Sequence, residues 1–335
     1  MSTITKKIEI NQNKTKEILS NIKNLPAFEK EIKNYFQKDT TELLETILLG
    51  GIALNASDIH LEPKEESMKI RARTDGMLHD IISISPELCK AIISRIKLLA
   101  GLKLNVHDRP QDGSFSIYIH AGDKKLQEIE IRTSALPSNY GESIVMRILN
   151  PDNLRNMEDL GLREDLLDLF KKEIQKPNGM IIVTGPTGSG KTTTLYAFLK
   201  YLQKPEIKII TIEDPIEYRL KDVSQTQVDP KRGYDFAGGL RSIVRQDPDV
   251  ILVGEIRDLE TAEISLQAAL TGHLVFSTLH TNDAAGAIPR LTSLGAKPVN
   301  IGPAINMVIA QRLIRRVCQK CADFIPAKED VFKKA

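Results

Sequence analysis

One segment of the sequence has the residue types and spacing of a phosphate-binding loop. The run GPTGSGKT, residues 185–192, fits the pattern G-x-x-x-x-G-K-[ST] and lies between an apolar strand and a helix that begins near Lys191. Its glycines let the backbone curl so that several N–H groups converge on one anion, next to the positive end of the helix dipole. The residues expected to bind a nucleotide here are Gly185, Pro186, Thr187, Gly188, Ser189, Gly190, Lys191, Thr192 and Thr193.

Two side chains at the start of that helix have the chemistry to complete a nucleotide site. Lys191 would reach the β and γ phosphates as a point charge, and the Thr192 hydroxyl would ligate Mg²⁺, a hard cation that also binds phosphate oxygens. A glycine-rich turn that only connects a strand to a helix is the alternative, but the whole pattern matches in the required context. We therefore expect ATP and Mg²⁺ as cofactors.

Carboxylates follow two later apolar strands, where they could orient water and absorb charge from the γ phosphate. The segment IITIEDPIEY places Glu213, Asp214 and Glu217 beyond one strand, and DVILVGEIRD places Glu255 beyond another. Because the carboxyl ends of strands line the ligand crevice of doubly wound sheets, we expect Glu213 and Glu255 to be catalytic and Glu255 also to serve Mg²⁺. Either could be the base. Asp214 and Glu217 are equally well explained as solvated strand-end charges or helix caps.

Two histidines flank a further apolar strand, LVFST. His273 precedes it and His280 follows it, at a spacing that does not resemble a helical metal pair. An imidazole can donate a hydrogen bond to a phosphate oxygen, so we expect His273 to contact the nucleotide and His280 to take part in catalysis. The alternative is an ordinary hydrogen-bonded histidine at a strand end.

Composition limits the classes of protein to which this chain can belong. Its 335 residues, 41% hydrophobic and 27% charged, are typical of a globular protein of two domains. A formal charge of +2 and 5% aromatic residues give no sign of nucleic-acid binding. No apolar run approaches the ~20 residues that cross a bilayer, and the polar start lacks a signal peptide, so we expect a cytoplasmic protein.

The elements that must position the candidate residues fall into two groups. We expect a helical or flexible arm at residues 1–40, a small α+β domain at 41–149 and a linker at 150–160. Residues 161–317 alternate helical stretches with β-branched apolar runs, which predicts a doubly wound parallel α/β domain. Residues 318–335 hold the start of a Cys-x-x-Cys element that we expect to be truncated.

Taken together, these segments resemble the motor ATPases of type II secretion, type IV pilus assembly and DNA-uptake pili. The resemblance runs from about Ser57 to Cys321 and rests on SDIHLEP, RPQDGSF, GPTGSGKTTTLYAFL, TIEDPIEY and the run from LRSIVRQDPD to LHTNDA. It implies a RecA-like P-loop NTPase domain behind a smaller PAS-like α+β domain, in a hexameric ring with nucleotide at the junction. It also implies an inner-membrane platform protein as partner and peripheral association with that membrane.

The same resemblance gives roles to four arginines. Arg132 and Arg147 match positions that supply arginine fingers in the family, and Arg241 and Arg245 match further arginines near its nucleotide site. An arginine can hold a phosphate bidentately from across an interface. Without the resemblance, each would be explained as the partner of a surface ion pair.

One departure from the family concerns zinc. Members of the secretion and pilus-extension branch carry two Cys-x-x-Cys pairs, whereas this sequence has only Cys318 and Cys321 in that pattern. A structural zinc needs four ligands, so we expect none: either the sequence is truncated or this member never closes the site. The pair still favours the extension branch over retraction motors. Two other classes remain as alternatives, a RecA-like nucleic-acid translocase and a scaffold that holds ATP without turnover.

Overall fold

The computed structural model describes residues 7–121, 125–314 and 317, which form two sheets with helices packed on them. The first sheet, as far as those residues go, contains seven strands: β1 (Lys7–Glu9), β2 (Asp58–Pro63), β3 (Met68–Thr74), β4 (Met77–Ile84), β5 (Gln111–Ala121), β6 (Lys125–Ser138) and β7 (Gly141–Leu149). Their order is β1-β5-β6-β7-β2-β3-β4, and every pair except β1 with β5 is antiparallel.

Four helices accompany this sheet, and the sequence marks where each begins. They are α1 (Gln12–Asn21), α2 (Leu25–Asn34), α3 (Thr40–Ala53) and α4 (Pro86–Leu99). A polar side chain precedes each helix and accepts a hydrogen bond from one of its free N-terminal amides, which stabilises the helix start. These caps are Asn11, Asn24, Asp39 and Ser85.

The described part of the segment for which we expected a helical or flexible arm contains β1, α1 and α2. Strand β1 extends the sheet beside β5, and Ile18, Phe28 and Ile32 are fully buried in the same hydrophobic core as α3 and α4. The four-residue spacing of Phe28 and Ile32 places both on one face of α2, so this face must be covered. Gly50 allows that contact, because a Cβ there would collide with the Phe28 ring.

The second sheet is parallel throughout. Its described strands are β8 (Gly179–Thr184), β9 (Ile209–Glu213), β10 (Ser224–Gln227), β11 (Val250–Val253), β12 (Leu274–Leu279) and β13 (Ile305–Ala310), in the order β10-β9-β11-β12-β8-β13. Two 3₁₀ turns, Pro151–Asn153 and Met157–Leu160, connect the two sheets. The helices are α5 (Glu164–Ile174), α6 (Lys191–Leu202), α7 (Phe236–Val244), α8 (Leu259–Leu270), α9 (Ala287–Ser293) and α10 (Pro298–Ala304).

Helices cover both faces of this sheet, which confirms the predicted doubly wound α/β class. Along β8, Met180 and Ile182 face the core under α7 to α10, whereas Ile181 and Val183 face the core under α5 and α6. All four side chains are fully buried, which explains the continuous apolar run in the sequence. None of the helices in the described ranges is long and apolar enough to cross a membrane.

The candidate nucleotide site

The phosphate loop connects β8 to α6 at the carboxyl edge of the parallel sheet. Gly185, Gly188 and Gly190 have φ angles of 141°, 77° and 85°, a region that favours glycine. Gly185 is also needed for space, since a Cβ there would lie 2.5 Å from the backbone oxygen of Gln311. The loop can therefore curl in front of the first turn of α6, as the pattern predicted.

Lys191 and Thr192 begin α6 with their side chains toward the loop and the cleft beside it. The Lys191 Nζ donates to the carbonyl oxygens of Gly185 and Pro186, at 2.9 and 3.1 Å. Burial lowers the pKa of Lys191 below its usual value, while the nearby Glu255 carboxylate opposes that shift. Thr192 is exposed, so its hydroxyl is accessible to a ligand.

Gln311 holds the loop from the other side and was not identified from the sequence. Its Nε2 donates to the carbonyl oxygen of Ser189, and its Oε1 accepts from the Thr194 hydroxyl, both at 2.8 Å. Its backbone N–H donates to the carbonyl oxygen of Thr184. One residue thus fixes the end of β8, the loop and the start of α6 relative to one another.

A cavity of about 150 Å³ lies in front of the loop and collects most of the predicted chemistry. Strands β9, β11 and β12 end at the same carboxyl edge of the sheet as β8, and each is followed or ended there by a polar residue. The lining includes Lys191, Thr192, Glu213, Glu255 and His280. Asp214 and Glu217, for which two interpretations remained open, line it too.

Glu213 is buried and surrounded by neutral hydrogen-bond donors. The Tyr196 hydroxyl donates to its Oε2, while Thr211 Oγ1 and Gln225 Nε2 donate to its Oε1 at 2.6 and 3.2 Å. Burial raises the pKa of Glu213 above the usual carboxyl value, and the three hydrogen bonds limit that rise. A sequence search for charged and metal-ligating residues could not find Tyr196, because a tyrosine in an apolar helix reads as core.

Glu255 has a guanidinium and an imidazole as partners instead. Its Oε1 lies 2.5 Å from Arg257 Nη2, and its Oε2 lies 3.1 Å from His280 Nε2. Gly254 brings it close to the neighbouring strand, since a Cβ at 254 would lie only 3.3 Å from the Glu213 Cα. This close approach gives a physical reason for the Gly-Glu ending that the sequence showed at this strand.

The residues of the cleft fit a magnesium ion that arrives with a nucleotide. In the described part of the chain, no group of three or more His, Cys, Asp or Glu side chains forms a metal cage. Mg²⁺ in phosphate sites is usually held by one or two protein oxygens together with substrate phosphates and water. The Thr192 hydroxyl and the Glu255 carboxylate, both at this cavity, are suitable oxygen ligands.

Arg132 and Arg147 lie on neighbouring strands where the first domain faces the second. They are paired directly across β6 and β7, and both line an interdomain cavity of about 700 Å³. Arg132 donates to the carbonyl oxygen of Ile216 and, at 3.1 Å, to Glu217 Oε2 of its own chain. Arg147 Nε bonds Asp58 at 3.1 Å. Arg132 therefore contacts the acidic segment that follows β9 in its own second domain.

Three other predicted residues are not brought to the cleft of their own chain. Arg241 pairs with Glu260, and Arg245 donates to Ser242 at 3.3 Å, both at a shallow cavity beside α8. His273 precedes β12 at the opposite edge of the sheet, where its Nδ1 lies 3.0 Å from the Ala268 carbonyl oxygen. The length of a six-residue strand, about 20 Å, separates His273 from the loop. Cys318 and Cys321 lie outside the described residues.

The loop, the strand-end acids and the parallel sheet together define a P-loop nucleotide-binding protein of the α/β class. The chain belongs to the type II/IV secretion system protein family, whose model matches residues 37–335. It is 44% identical over 300 residues to the type II secretion system ATPase E of Vibrio cholerae, covering 89% of this chain and 59% of that protein. It is 46% identical over 276 residues to the type IV pilus assembly ATPase PilB of Pseudomonas aeruginosa, covering 82% and 48%.

A solved structure of similar fold contains a nucleotide. The pilus retraction motor PilT with bound ADP is 34% identical, with a TM-score of 0.61 over 81% of this chain and 78% of that chain. The chain spans roughly half to three fifths of the length of the two curated relatives above, 59% and 48%. The functions of those longer proteins are therefore only proposed for this chain.

Proposed function

We propose that this chain hydrolyses ATP with Mg²⁺ in a hexameric ring and thereby drives assembly of a type II secretion pseudopilus or a type IV pilus through an inner-membrane platform protein. The observation that carries the proposal is the single cleft that holds Lys191, Thr192, Glu213, Glu255 and His280 in front of the phosphate loop. Membership of the secretion family and relatives named as ATPases support it.

Different residues of the chain bind the phosphates and act on the attacking water. Loop amides and Lys191 hold the phosphates, with Gln311 keeping the loop in place. Glu213 or Glu255 orients a water molecule for attack on the γ phosphate, and His280 contacts the same cavity. Thr192 and Glu255 would hold Mg²⁺ together with the phosphates, and the ion would supply positive charge next to the phosphate oxygens.

The remaining arginines act between parts of the ring. Arg132 and Arg147 face the second domain across the interdomain cavity, Arg241 and Arg245 line a cavity beside α8, and His273 precedes β12 at the edge of the sheet away from the loop. In a ring, these residues of one subunit would lie against the nucleotide that is bound by the neighbouring subunit. Contacts that differ between ATP and ADP then change the angle between domains, which is the motion passed to the membrane partner.

Loss of the loop lysine tests the nucleotide site directly. Lys191→Ala is expected to abolish binding of a fluorescent ATP analogue in the presence of Mg²⁺, because the β and γ phosphates lose their point charge. Lys200→Ala, an exposed lysine at the end of the same helix, is the matched control and should bind normally. Undiminished binding by Lys191→Ala would remove the basis of the proposal.

A mixing experiment tests action across the ring. Lys191→Ala and Arg241→Ala subunits are each expected to be inactive alone. Mixed together, they should recover part of the ATPase activity, since an intact loop from one subunit can meet an intact arginine from the other. Arg163→Ala, at an exposed arginine directly before α5, should need no such rescue. Failure of any mixture to recover activity would mean that Arg241 acts within its own chain or not at all.

Retraction of a pilus is a second candidate function, supported by the similarity to the retraction motor PilT. The cytoplasmic part of the platform protein should stimulate the ATPase in either case. In cells lacking the chain, missing pili would indicate assembly and pili that no longer shorten would indicate retraction. Stimulation by DNA alone would instead favour a nucleic-acid translocase.

A further inference from the structure

Tyr196 occupies a position between the candidate catalytic acid and the segment that follows it. It lies on α6, five residues after Lys191, and its side chain is almost fully buried. Its hydroxyl donates to Glu213 Oε2 and accepts from the backbone N–H of Glu217 at 3.3 Å. Burial and the adjacent carboxylate raise the pKa of the Tyr196 phenol, so the hydroxyl stays protonated and remains a donor.

The segment held by Tyr196 is also the segment that the first domain contacts. Arg132 donates to the Ile216 carbonyl oxygen and to the Glu217 carboxylate. The acid Glu213, the tyrosine-bound amide of Glu217 and both acceptors of Arg132 all lie within the five residues 213–217. A displacement of the first domain that pulls on residues 216 and 217 therefore reaches the Tyr196 hydroxyl, and through it one oxygen of Glu213.

We propose that Tyr196 is a positioning residue that fixes the carboxylate plane of Glu213 and links it to the Arg132 contact between the domains. The proposal rests on the proposed function and, of its two candidate acids, takes Glu213 as the one that acts on the attacking water. It gives the interdomain contact a physical route to the chemistry, because the two remaining donors, Thr211 and Gln225, bond only the other oxygen. Without Tyr196, Oε2 loses its donor and the carboxylate can turn about its bond.

Packing alone does not explain a tyrosine here. The ring contacts Tyr218 edge-on at a centroid distance of 6.2 Å, and phenylalanine would fill the same space. What phenylalanine lacks is the single atom that serves as donor to one partner and acceptor from the other. That difference makes Tyr196→Phe an experiment on the hydroxyl rather than on the core.

The first test measures steady-state ATPase kinetics of the full 335-residue chain with Mg²⁺. Tyr196→Phe is expected to lower kcat by about 10-fold, as loss of a supporting hydrogen bond typically does, with KM and ADP affinity unchanged. Tyr201→Phe is the matched control, since this tyrosine on the same helix bonds only Gln175 in the described contacts. p-Aminophenylalanine at 196, which keeps a neutral donor, should restore most of kcat.

A kcat within twofold of the parent for Tyr196→Phe would overturn the proposal. So would equal losses in kcat and in ADP affinity together with a lower melting temperature, because these indicate a purely structural role. The Lys191→Ala variant distinguishes failure of the proposed function from failure of the role of Tyr196. If Lys191→Ala still hydrolyses ATP, the proposed function is wrong. If Lys191→Ala is inactive but Tyr196→Phe has a normal kcat, only the role of Tyr196 is wrong.

The second test asks whether Tyr196 and Arg132 act together. Arg132→Ala and Tyr196→Phe, combined, should lower kcat clearly less than the product of the two single effects, since each breaks the same connection. Effects that simply multiply would show that the two residues act independently and would refute the link between the domain contact and Glu213.

Discussion

Glu213 and Glu255 end adjacent strands of one sheet and line one cavity, yet their surroundings differ sharply. Glu213 accepts three hydrogen bonds from neutral groups, and no lysine, arginine or histidine in the described part of the chain forms an ion pair with it. Glu255 instead contacts the Arg257 guanidinium and the His280 imidazole, whose side chains are 63% and 59% exposed.

The difference in surroundings distinguishes the catalytic base from the metal ligand, two roles that the sequence could not assign between Glu213 and Glu255. A buried carboxylate without a countercharge accepts a proton more readily, and the raised pKa of Glu213 reflects this. Glu255 instead reaches the cavity that Thr192 also lines, where a carboxylate oxygen is a suitable ligand for Mg²⁺. The comparison therefore favours Glu213 as the group that handles the proton of the attacking water and Glu255 as the group that serves Mg²⁺.

The largest expected effect comes from removing the charge of Glu213. Glu213→Gln should lower kcat by about 100-fold or more, because the base is lost and the amide N–H₂ meets the donors of Tyr196 and Thr211. ATP binding should persist. Glu206→Gln, in an exposed loop before β9, is the control and should leave kcat unchanged. A Glu213→Gln variant with near-normal turnover would reverse the assignment of the two acids.

Glu255→Gln should have a smaller effect on turnover and a distinct dependence on metal. We expect ATP binding to stay intact and kcat to fall at least about tenfold, with the activity partly restored by raised Mg²⁺, since a weakened metal ligand can be compensated by concentration. Kinetics over a Mg²⁺ titration of both glutamine variants measure this. If raised Mg²⁺ restored the activity of Glu213→Gln but not that of Glu255→Gln, the assignment of Glu255 to the metal would be wrong.

Arg257→Ala should change activity by only a few-fold, because exposed ion pairs contribute little. The informative measurement on this variant is the direction in which its Mg²⁺ requirement changes. With one cation gone, Glu255 should bind Mg²⁺ more tightly and the Mg²⁺ concentration for half-maximal rate should fall. Arg155→Ala, an exposed arginine in the connection between the sheets, is the control. An unchanged Mg²⁺ requirement would separate Glu255 from the metal.

The sequence predicted these two acids but not what surrounds them. Period and composition identified four of the parallel strands, and the loop pattern located Lys191 and Thr192 at the cleft. The edge strand β10, with the polar sequence SQTQ, carries no apolar run, so pattern reading missed both it and its Gln225. Arg132 was assigned by resemblance, and only the relative placement of two domains could reveal Glu217 as its partner.

Thr211→Val gives the smallest and most specific test of the comparison. Its hydroxyl donates to Glu213 Oε1 at 2.6 Å, which favours the ionised carboxyl and lowers its pKa against the effect of burial. Valine keeps the shape and removes the donor, so the pKa of Glu213 should rise further.

Because the base must be unprotonated, activity is lost as the pH falls through that pKa. The acid limb of the kcat profile should therefore move to higher pH in Thr211→Val, leaving the rate well above that limb nearly unchanged. Thr226→Val provides the control, because its hydroxyl bonds Tyr234 and not a carboxylate. An acid limb that stays in place in Thr211→Val but moves when Arg257 is replaced would mean that Glu255, and not Glu213, titrates in the reaction.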